Sequence, residues 1–236
     1  MINTPNRNSV IIVADSPIIN PKEIKAYPNL SVNYSVYLNT LLYSNWLEIF
    51  SGLKEQVEIY TLLSEKDMEF IPKYFLPDND HTITYNGPHL TNLTEYLLKR
   101  PISPNSKSLV LFYNSIGLRL NDILRIFNLL QAEESSIVIG KSVHDKIILA
   151  CTNGLNVELI DSILAVKKNY DDYLSYVSSK DIFIHTLSGF LSIYNFEDIK
   201  KLYIELSKKE SLSYCSQKMH ENFNDLFIEY KELLNV

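Results

Sequence analysis

The sequence predicts an α/β domain in which helices cover both faces of a mostly parallel mixed sheet, a three-layer αβα sandwich. Two short apolar runs rich in β-branched residues, 9–14 and 108–113, are typical of strands buried on both faces. Between the first run and a strand predicted at 56–63, apolar residues recur every three or four positions over 33–53, which indicates a long helix. Strand, helix and strand in this order favour a right-handed βαβ unit, and such units build parallel sheets.

Short apolar runs and helix-capping residues predict the remaining strands and helices. Apolar runs predict further strands at 81–85, 136–140, 146–150 and 181–185. Capping residues predict helices at 92–99, after a cap at Asn121 or Asp122, and after a cap at Asn195, and we also expect helices at 67–74 and 157–166. With no linker or repeat visible, we expect a single domain over 1–236, with a core at about 9–203 and a C-terminal helical extension at about 211–236.

An apolar stripe at helical spacing runs through that extension from Phe223 to Leu234. In one interpretation it packs on the flank of the chain's own sheet. In the other it forms a partner surface for a homodimer, since aromatic residues suit interfaces and cores alike.

The composition argues against several classes of protein, including nucleic-acid-binding, zinc-binding and membrane-spanning ones. Of 236 residues, 46% are hydrophobic, enough for a sizeable core, and the formal net charge of −6 argues against a nucleic-acid partner. Cys151 and Cys215 stand in neither a CxxC pair nor a zinc spacing, so we expect reduced thiols in a cytoplasmic protein. No apolar run is long enough to span a membrane, and we expect no membrane partner. The six glycines form neither a phosphate-binding loop nor a nucleophile elbow.

Four segments carry a family resemblance. The first strand ends in an Ala-x-x-Pro segment at 14–17, and a strand ending at 111–117 precedes a capped helix. A later strand ends in Gly at 137–140, and 191–198 joins a strand to another helix. This order resembles a bacterial family of GT-A-like proteins related to nucleotidyltransferases and glycosyltransferases, within the nucleotide-diphospho-sugar transferase superfamily. The resemblance implies that fold and a nucleotide or nucleotide-sugar as ligand.

The sequence departs from that family at the metal site. The resemblance implies Mg²⁺ or Mn²⁺ beside the nucleotide phosphates, held by carboxylates. The family's aspartates fall here on Ser115, Ser192 and Tyr194, while Glu197 and Asp198 suffice as helix-start residues. We therefore expect no metal and a catalytically inactive member. The alternative is an active nucleotide-sugar or nucleotidyl transferase that uses noncanonical residues, with Mg²⁺ or Mn²⁺.

Three residues are candidates for catalysis under the alternative. Asp15 follows the first strand, at the edge where open α/β sheets bind ligands, although it could equally form the turn before Pro17. His144 and Asp145 lie at the corresponding end of a later strand and could serve acid–base chemistry, or could simply be surface residues of a turn.

Lysines could replace a metal in neutralising phosphate charge. Lys22 and Lys25, in the loop after the first strand, are the phosphate- or nucleotide-binding candidates together with Ser115, and Lys141 and Lys146 lie near the later turn. The competing interpretation of the two loop lysines is a solvated surface loop.

Overall fold

Eight strands form one sheet in the part of the chain that the computed structural model describes, residues 7–76, 81–100, 102, 106–130 and 136–234. The strands are β1 (Asn8–Val13), β2 (Val57–Ser64), β3 (Thr82–Tyr85), β4 (Lys107–Phe112), β5 (Ser115–Ile116), β6 (Ser136–Ser142), β7 (Ile147–Asn153) and β8 (Phe183–Ser192). Their order across the sheet is β3-β2-β1-β4-β7-β6-β8-β5. Only β5 and β7 run antiparallel to their neighbours, so the predicted mostly parallel mixed sheet is confirmed.

Helices cover both faces of this sheet. They are α1 (Val32–Ser51), α2 (Thr94–Leu97), α3 (Leu120–Leu129), α4 (Val157–Ala165), α5 (Tyr170–Val177), α6 (Phe196–Leu206), α7 (Gln217–Glu229) and α8 (Lys231–Leu234). Helices α1, α3, α6 and α7 share one apolar core with alternate residues of β1 and β4, such as Val10 and Leu109. The intervening residues, such as Ile11 and Val110, pack with α2, α4 and α5 on the other face. The three-layer prediction is therefore confirmed.

Two helix predictions need correction. The predicted helix at 67–74 is instead two 3-10 turns, Glu65–Asp67 and Lys73–Phe75, because Pro72 disfavours the helical conformation of the residue before it. The predicted helix at 92–99 is only the four-residue α2, in which the carboxylate of Asp161 accepts hydrogen bonds from the first amides.

Further differences occur at element ends and short elements. Helix α3 begins after Arg119, and Asp122 accepts a hydrogen bond from the Arg119 amide at 3.1 Å, so the predicted cap at Asn121 or Asp122 is wrong. The cap at Asn195 is confirmed, since its side chain accepts from the amide of Asp198 at 3.1 Å. Helix α5 and strand β5 were not predicted.

The C-terminal stripe packs within the chain's own fold. Phe223 and Leu226 of α7 are buried in the core shared with α1. The hydroxyl of Tyr37 in α1 donates to the carbonyl of Asn222 at 3.1 Å, and the rings of Tyr34 and Tyr230 meet edge to face at 5.0 Å. Phe227 and Leu234 are buried as well, whereas Leu233 is 49% exposed, so packing within the chain accounts for most of the stripe and a homodimer through it is not supported. The last two residues of the predicted extension lie outside the described residues.

Gly140 allows β6 and β7 to pack closely. A Cβ atom at this position would lie 2.5 Å from Cγ of Leu149, which is itself fully buried.

We expect Gly140→Ala to lower the free energy of unfolding by about 1–3 kcal/mol, because Leu149 has no free space into which to move. At Gly52, which ends α1, the nearest atom would be 3.5 Å away. Chemical denaturation should therefore show Gly52→Ala within about 0.5 kcal/mol of the parent, and equal losses in both variants would contradict this account of the packing.

Candidate functional site

A cavity of about 330 Å³ lies at the edge of the sheet where β1, β4 and β8 end. Open α/β sheets bind ligands at this edge, since the loops that follow parallel strands converge there. The lining residues come from segments 15–17, 24–28, 113–114 and 193–194, with Asn39 of α1 and Lys168 of the α4–α5 turn.

An ion pair crosses this cavity. Nζ of Lys168 lies 2.8 Å from Oδ2 of Asp15, and Lys168 is only 8% exposed. Its ammonium group also lies 4.6 Å from the ring centroid of Phe112 and 5.6 Å from that of Tyr194. Burial disfavours the charged form, but the Asp15 carboxylate and the Tyr194 side chain outweigh it and raise the pKa of Lys168 above its usual value. The cavity therefore contains a permanent cation.

The turn that carries Lys168 is strained. Lys167 and Lys168 both adopt left-handed backbone conformations, with φ angles of 50° and 60°. For residues with a Cβ atom this conformation costs about 1–2 kcal/mol each. The strain is held by two backbone hydrogen bonds of 2.7 Å, from the Lys168 amide to the carbonyl of Ile163 and from the Ile147 amide to the carbonyl of Lys168. Strain of this kind clusters at functional sites, and here it positions an ammonium group.

Asp67 anchors the loop that follows β1. Its buried carboxylate accepts hydrogen bonds from the amides of Ile18, Ile19 and Asn20 at 2.9, 3.0 and 2.9 Å. Hydrogen bonds to an ionised group are about twice as strong as neutral ones, so three of them fix this segment firmly. The loop continues from there to the lining residues at 24–28.

A network of neutral polar groups forms one wall of the cavity. Oδ1 of Asn39 accepts hydrogen bonds from the hydroxyls of Tyr27 at 2.9 Å and Tyr113 at 3.4 Å, while its Nδ2 donates to the carbonyl of Ile18 at 3.1 Å. Burial raises the pKa of both phenols far above their usual value, so they stay protonated and act as donors to Asn39 at neutral pH.

A second polar cluster lies outside this cavity. Nε2 of His144 is 2.5 Å from Oδ1 of Asp198, and Nζ of Lys201 is 3.5 Å from the same oxygen. The other oxygen of Asp198 accepts hydrogen bonds from the amides of Tyr194 and Asn195 at the start of α6. The buried Asp198 therefore joins the β6–β7 turn to α6.

No protein-family model matches the sequence, and no curated protein matches it either. Solved structures do match. A proposed nucleotide-diphospho-sugar transferase from Desulfovibrio desulfuricans superimposes with a TM-score of 0.71 at 12% identity, over 96% of each chain. The chain has the nucleotide-diphospho-sugar transferase fold. The predicted superfamily resemblance is thereby confirmed at the level of fold.

Nucleotidyltransferases share this transferase fold. The 4-diphosphocytidyl-2C-methyl-D-erythritol synthase from Anaerococcus prevotii matches with a TM-score of 0.53 at 15% identity, over 86% of this chain and all of that one. The inositol-1-phosphate CTP transferase from T. maritima matches with a TM-score of 0.51 at 12% identity, over 94% and 97% of the two chains. Identities this low show the fold alone.

Within the transferase fold, the structure brings Asp15 and Lys25 to one cavity. Lys22, in the same loop, is exposed and does not line it. The catalytic and phosphate-binding roles predicted for these residues stay predictions.

The other predicted site residues lie elsewhere. Ser115 is fully buried, and its hydroxyl donates to the carbonyl of Phe112 at 2.9 Å. His144 belongs to the second polar cluster, and Asp145 pairs with Lys141 at 2.7 Å. Across the described ranges, no three His, Cys, Asp or Glu side chains come together as a metal ion would require, and no helix is long and apolar enough to cross a lipid bilayer.

Sequence reasoning missed Lys168, Asn39 and Asn114. Asn114 directly follows the predicted strand 108–113, so its position at the strand end was a usable signal. Asn39 lies inside a helix dominated by apolar periodicity, and Lys168 lies in a turn whose place depends on the missed helix α5. Only the tertiary structure brings these two residues to Asp15.

The two partners of the central ion pair differ in side-chain exposure, 9% for Lys168 and 24% for Asp15. We expect Asp15→Asn to destabilise the protein more than Lys168→Met, by about 3 kcal/mol against about 1 kcal/mol, because the first leaves the better-buried charge unpaired. The double variant Asp15→Asn/Lys168→Met should recover most of that loss. Urea unfolding of all three variants tests this, and purely additive effects would show that the two groups do not interact.

Proposed function

We propose that this protein binds a nucleotide or nucleotide-sugar in the Asp15–Lys168 cavity without a divalent metal, and that it does not catalyse transfer. The observation that carries the proposal is the ammonium group of Lys168, which lies beside Asp15 and Tyr194. The family resemblance assigns one metal-holding aspartate to the position of Tyr194. A fixed cation of the protein thus lies near the place where related enzymes are expected to hold an exchangeable one.

The residues at this edge of the sheet do not fit a divalent metal. Ser115 and Tyr194, at the positions of the family's aspartates, carry hydroxyl groups and not the carboxylates that hold such an ion, and the hydroxyl of Ser115 is buried against its own chain. Asp15 is already paired with Lys168, whose positive charge would repel a second cation at close range. The carboxylates of Asp67 and Asp198 are used to hold backbone amides.

The charge of the cavity suits an anion. Asp15 contributes one negative charge, while Lys168 and Lys25 contribute two positive ones. Lysine binds phosphate as a point charge and does not need the planar geometry of arginine. The transferase fold adds support, since the T. maritima neighbour is named for CTP, a nucleoside triphosphate.

One observation favours the second candidate, an active transferase with noncanonical residues. A buried ammonium group could itself neutralise charge that develops on a leaving phosphate. The two candidates share the binding site and differ in turnover and in dependence on Mg²⁺ or Mn²⁺, so one set of measurements separates them.

Isothermal titration with UDP, CDP, GDP and their sugar conjugates should detect binding in EDTA, with Kd values that change less than about twofold when Mn²⁺ replaces EDTA. Chromatography of the same mixtures should show no consumption of ligand. Lys168→Met should weaken binding at least about tenfold, because the cavity then keeps the negative charge of Asp15 without the cation that offsets it.

The matched control is Lys180→Met, since Lys180 forms an ion pair with Glu158 and does not line the cavity. It should bind as the parent does. Binding that requires Mn²⁺, or measurable turnover, would rule out the metal-free binding protein in favour of the active transferase. Absence of binding by every compound would remove both candidates.

A further inference from the structure

A separate cavity of about 330 Å³, the β8 cavity, lies beside the middle of β8. It is lined by Gly117, Arg119, Asp122, Arg125 and the β8 segment 187–190. About 13 Å of extended strand separates Gly189 in its wall from Ile193 in the wall of the Asp15–Lys168 cavity. Among the residues that the structure describes, the two cavities share no lining residue, so the β8 cavity is a second site.

A β-bulge forms one wall of the β8 cavity. Between its pairings at Leu187 and Phe190, β8 has two residues, Ser188 and Gly189, opposite a single residue of β6. Gly189 has a φ angle of 95°, in the left-handed region that glycine adopts without strain, and both residues are exposed. Bulges of this kind bend a strand and occur often next to active sites. Here the bulge leaves a wall of backbone and one small hydroxyl side chain, which leaves room for a ligand.

Two arginines line the β8 cavity on the side of α3. Arg119 directly precedes α3, Arg125 lies within it, and both residues are exposed. Neither forms an ion pair with a carboxylate in the described part of the chain. The carboxylate of Asp122, also in the wall, accepts a hydrogen bond from the amide of Arg119 at 3.1 Å. Two guanidinium groups against one carboxylate leave this cavity with a surplus of positive charge.

The neighbouring cavity does not neutralise that surplus. It shares Arg119 with the β8 cavity and adds two lysines, Lys201 and Lys208, and two acids, Glu205 and Glu210. Lys208 lies 2.5 Å from Glu205, and the four added charges balance one another. The whole chain, by contrast, has a formal net charge of −6. A local positive surplus on an acidic protein directs small anions to that place.

We propose that the β8 cavity binds a small phosphate monoester, with the phosphate held between Arg119 and Arg125. The two residues are six positions apart, about 9 Å along a helix axis, a span that two arginine side chains can close around one group. A phosphate monoester has three terminal oxygens and can accept from two guanidinium forks, whereas the two oxygens of a carboxylate are matched by one. The hydroxyl of Ser188 offers a further donor, and Leu187 offers apolar contact. This site is independent of the proposed function.

Isothermal titration with phenyl phosphate and benzoate tests the chemistry of the β8 cavity. The two probes carry the same ring and differ in the anionic group. Phenyl phosphate should bind the parent protein with a Kd of about 1 mM or lower. Benzoate should bind at least about tenfold more weakly, because it can engage only one of the two guanidinium groups fully.

Arginine variants locate the bound phosphate. Arg119→Met and Arg125→Met should each weaken phenyl phosphate at least about fivefold, because each removes one charge-assisted pair. Arg119→Lys should recover only part of the loss, since lysine keeps the charge but not the planar fork. Both positions are exposed, so these variants should fold as the parent does. The matched control is Arg7→Met, which removes the same charge at an exposed position outside the cavity and should leave the Kd unchanged.

Several outcomes would overturn this inference. An equal loss in Arg7→Met would show that only the overall charge attracts the probe, and equal affinities for both probes would refute the preference for phosphate. Binding that persists in both arginine→Met variants but is lost in Lys168→Met would place the phosphate in the Asp15–Lys168 cavity instead. Absence of phenyl phosphate binding would refute the β8 site. None of these results removes the proposed function, which is tested with nucleotides at the other cavity.

Discussion

The ion pair between Asp15 and Lys168 is the interaction on which the candidate site depends. It joins the end of β1 to the α4–α5 turn, two segments that lie 153 residues apart in the chain. The backbone that carries each partner determines where that partner lies. Asp15 lies at the sheet edge because parallel strands end there, and Lys168 reaches it only through two successive left-handed residues. The end of β1 thus fixes the carboxylate of Asp15 at the sheet edge, and the strained turn brings the ammonium group of Lys168 to it.

A charge supplied in this way differs from a bound metal. A divalent ion can leave, exchange or be removed by a chelator, and its site must remain open to solvent to admit it. An ammonium group on the chain is always present and needs no open coordination position. Under the proposed function, the ammonium group of Lys168 would take the place of an exchangeable metal in retaining a ligand.

Local patterns in the sequence predicted most of the fold. The strands at 9–14 and 108–113 and the helix at 33–53 carry strong periodic signals, and the structure has β1, β4 and α1 within one or two residues of them. The helix expected at 67–74 does not form, because Pro72 disfavours the helical conformation of the residue before it. The cap that Asn92 suggests for α2 does form, since its side chain accepts from the amide of Glu95 at 3.3 Å, but the amides of Leu93 and Thr94 are taken by the distant carboxylate of Asp161. Long-range contacts of this kind leave no local pattern.

The same reasoning explains which parts of the site were predictable. Asp15 and Lys25 follow β1 directly, so strand order alone places them at the sheet edge. The positions of Asn39 and Lys168 beside Asp15 depend on segments that meet only after folding. The contacts of Asp67 have a consequence for the loop between β1 and α1. Its carboxylate accepts hydrogen bonds from three consecutive amides at 18–20, between the lining segments 15–17 and 24–28, so this part of the loop is already ordered in the free protein. Binding at the cavity would then not have to supply the entropy cost of ordering it.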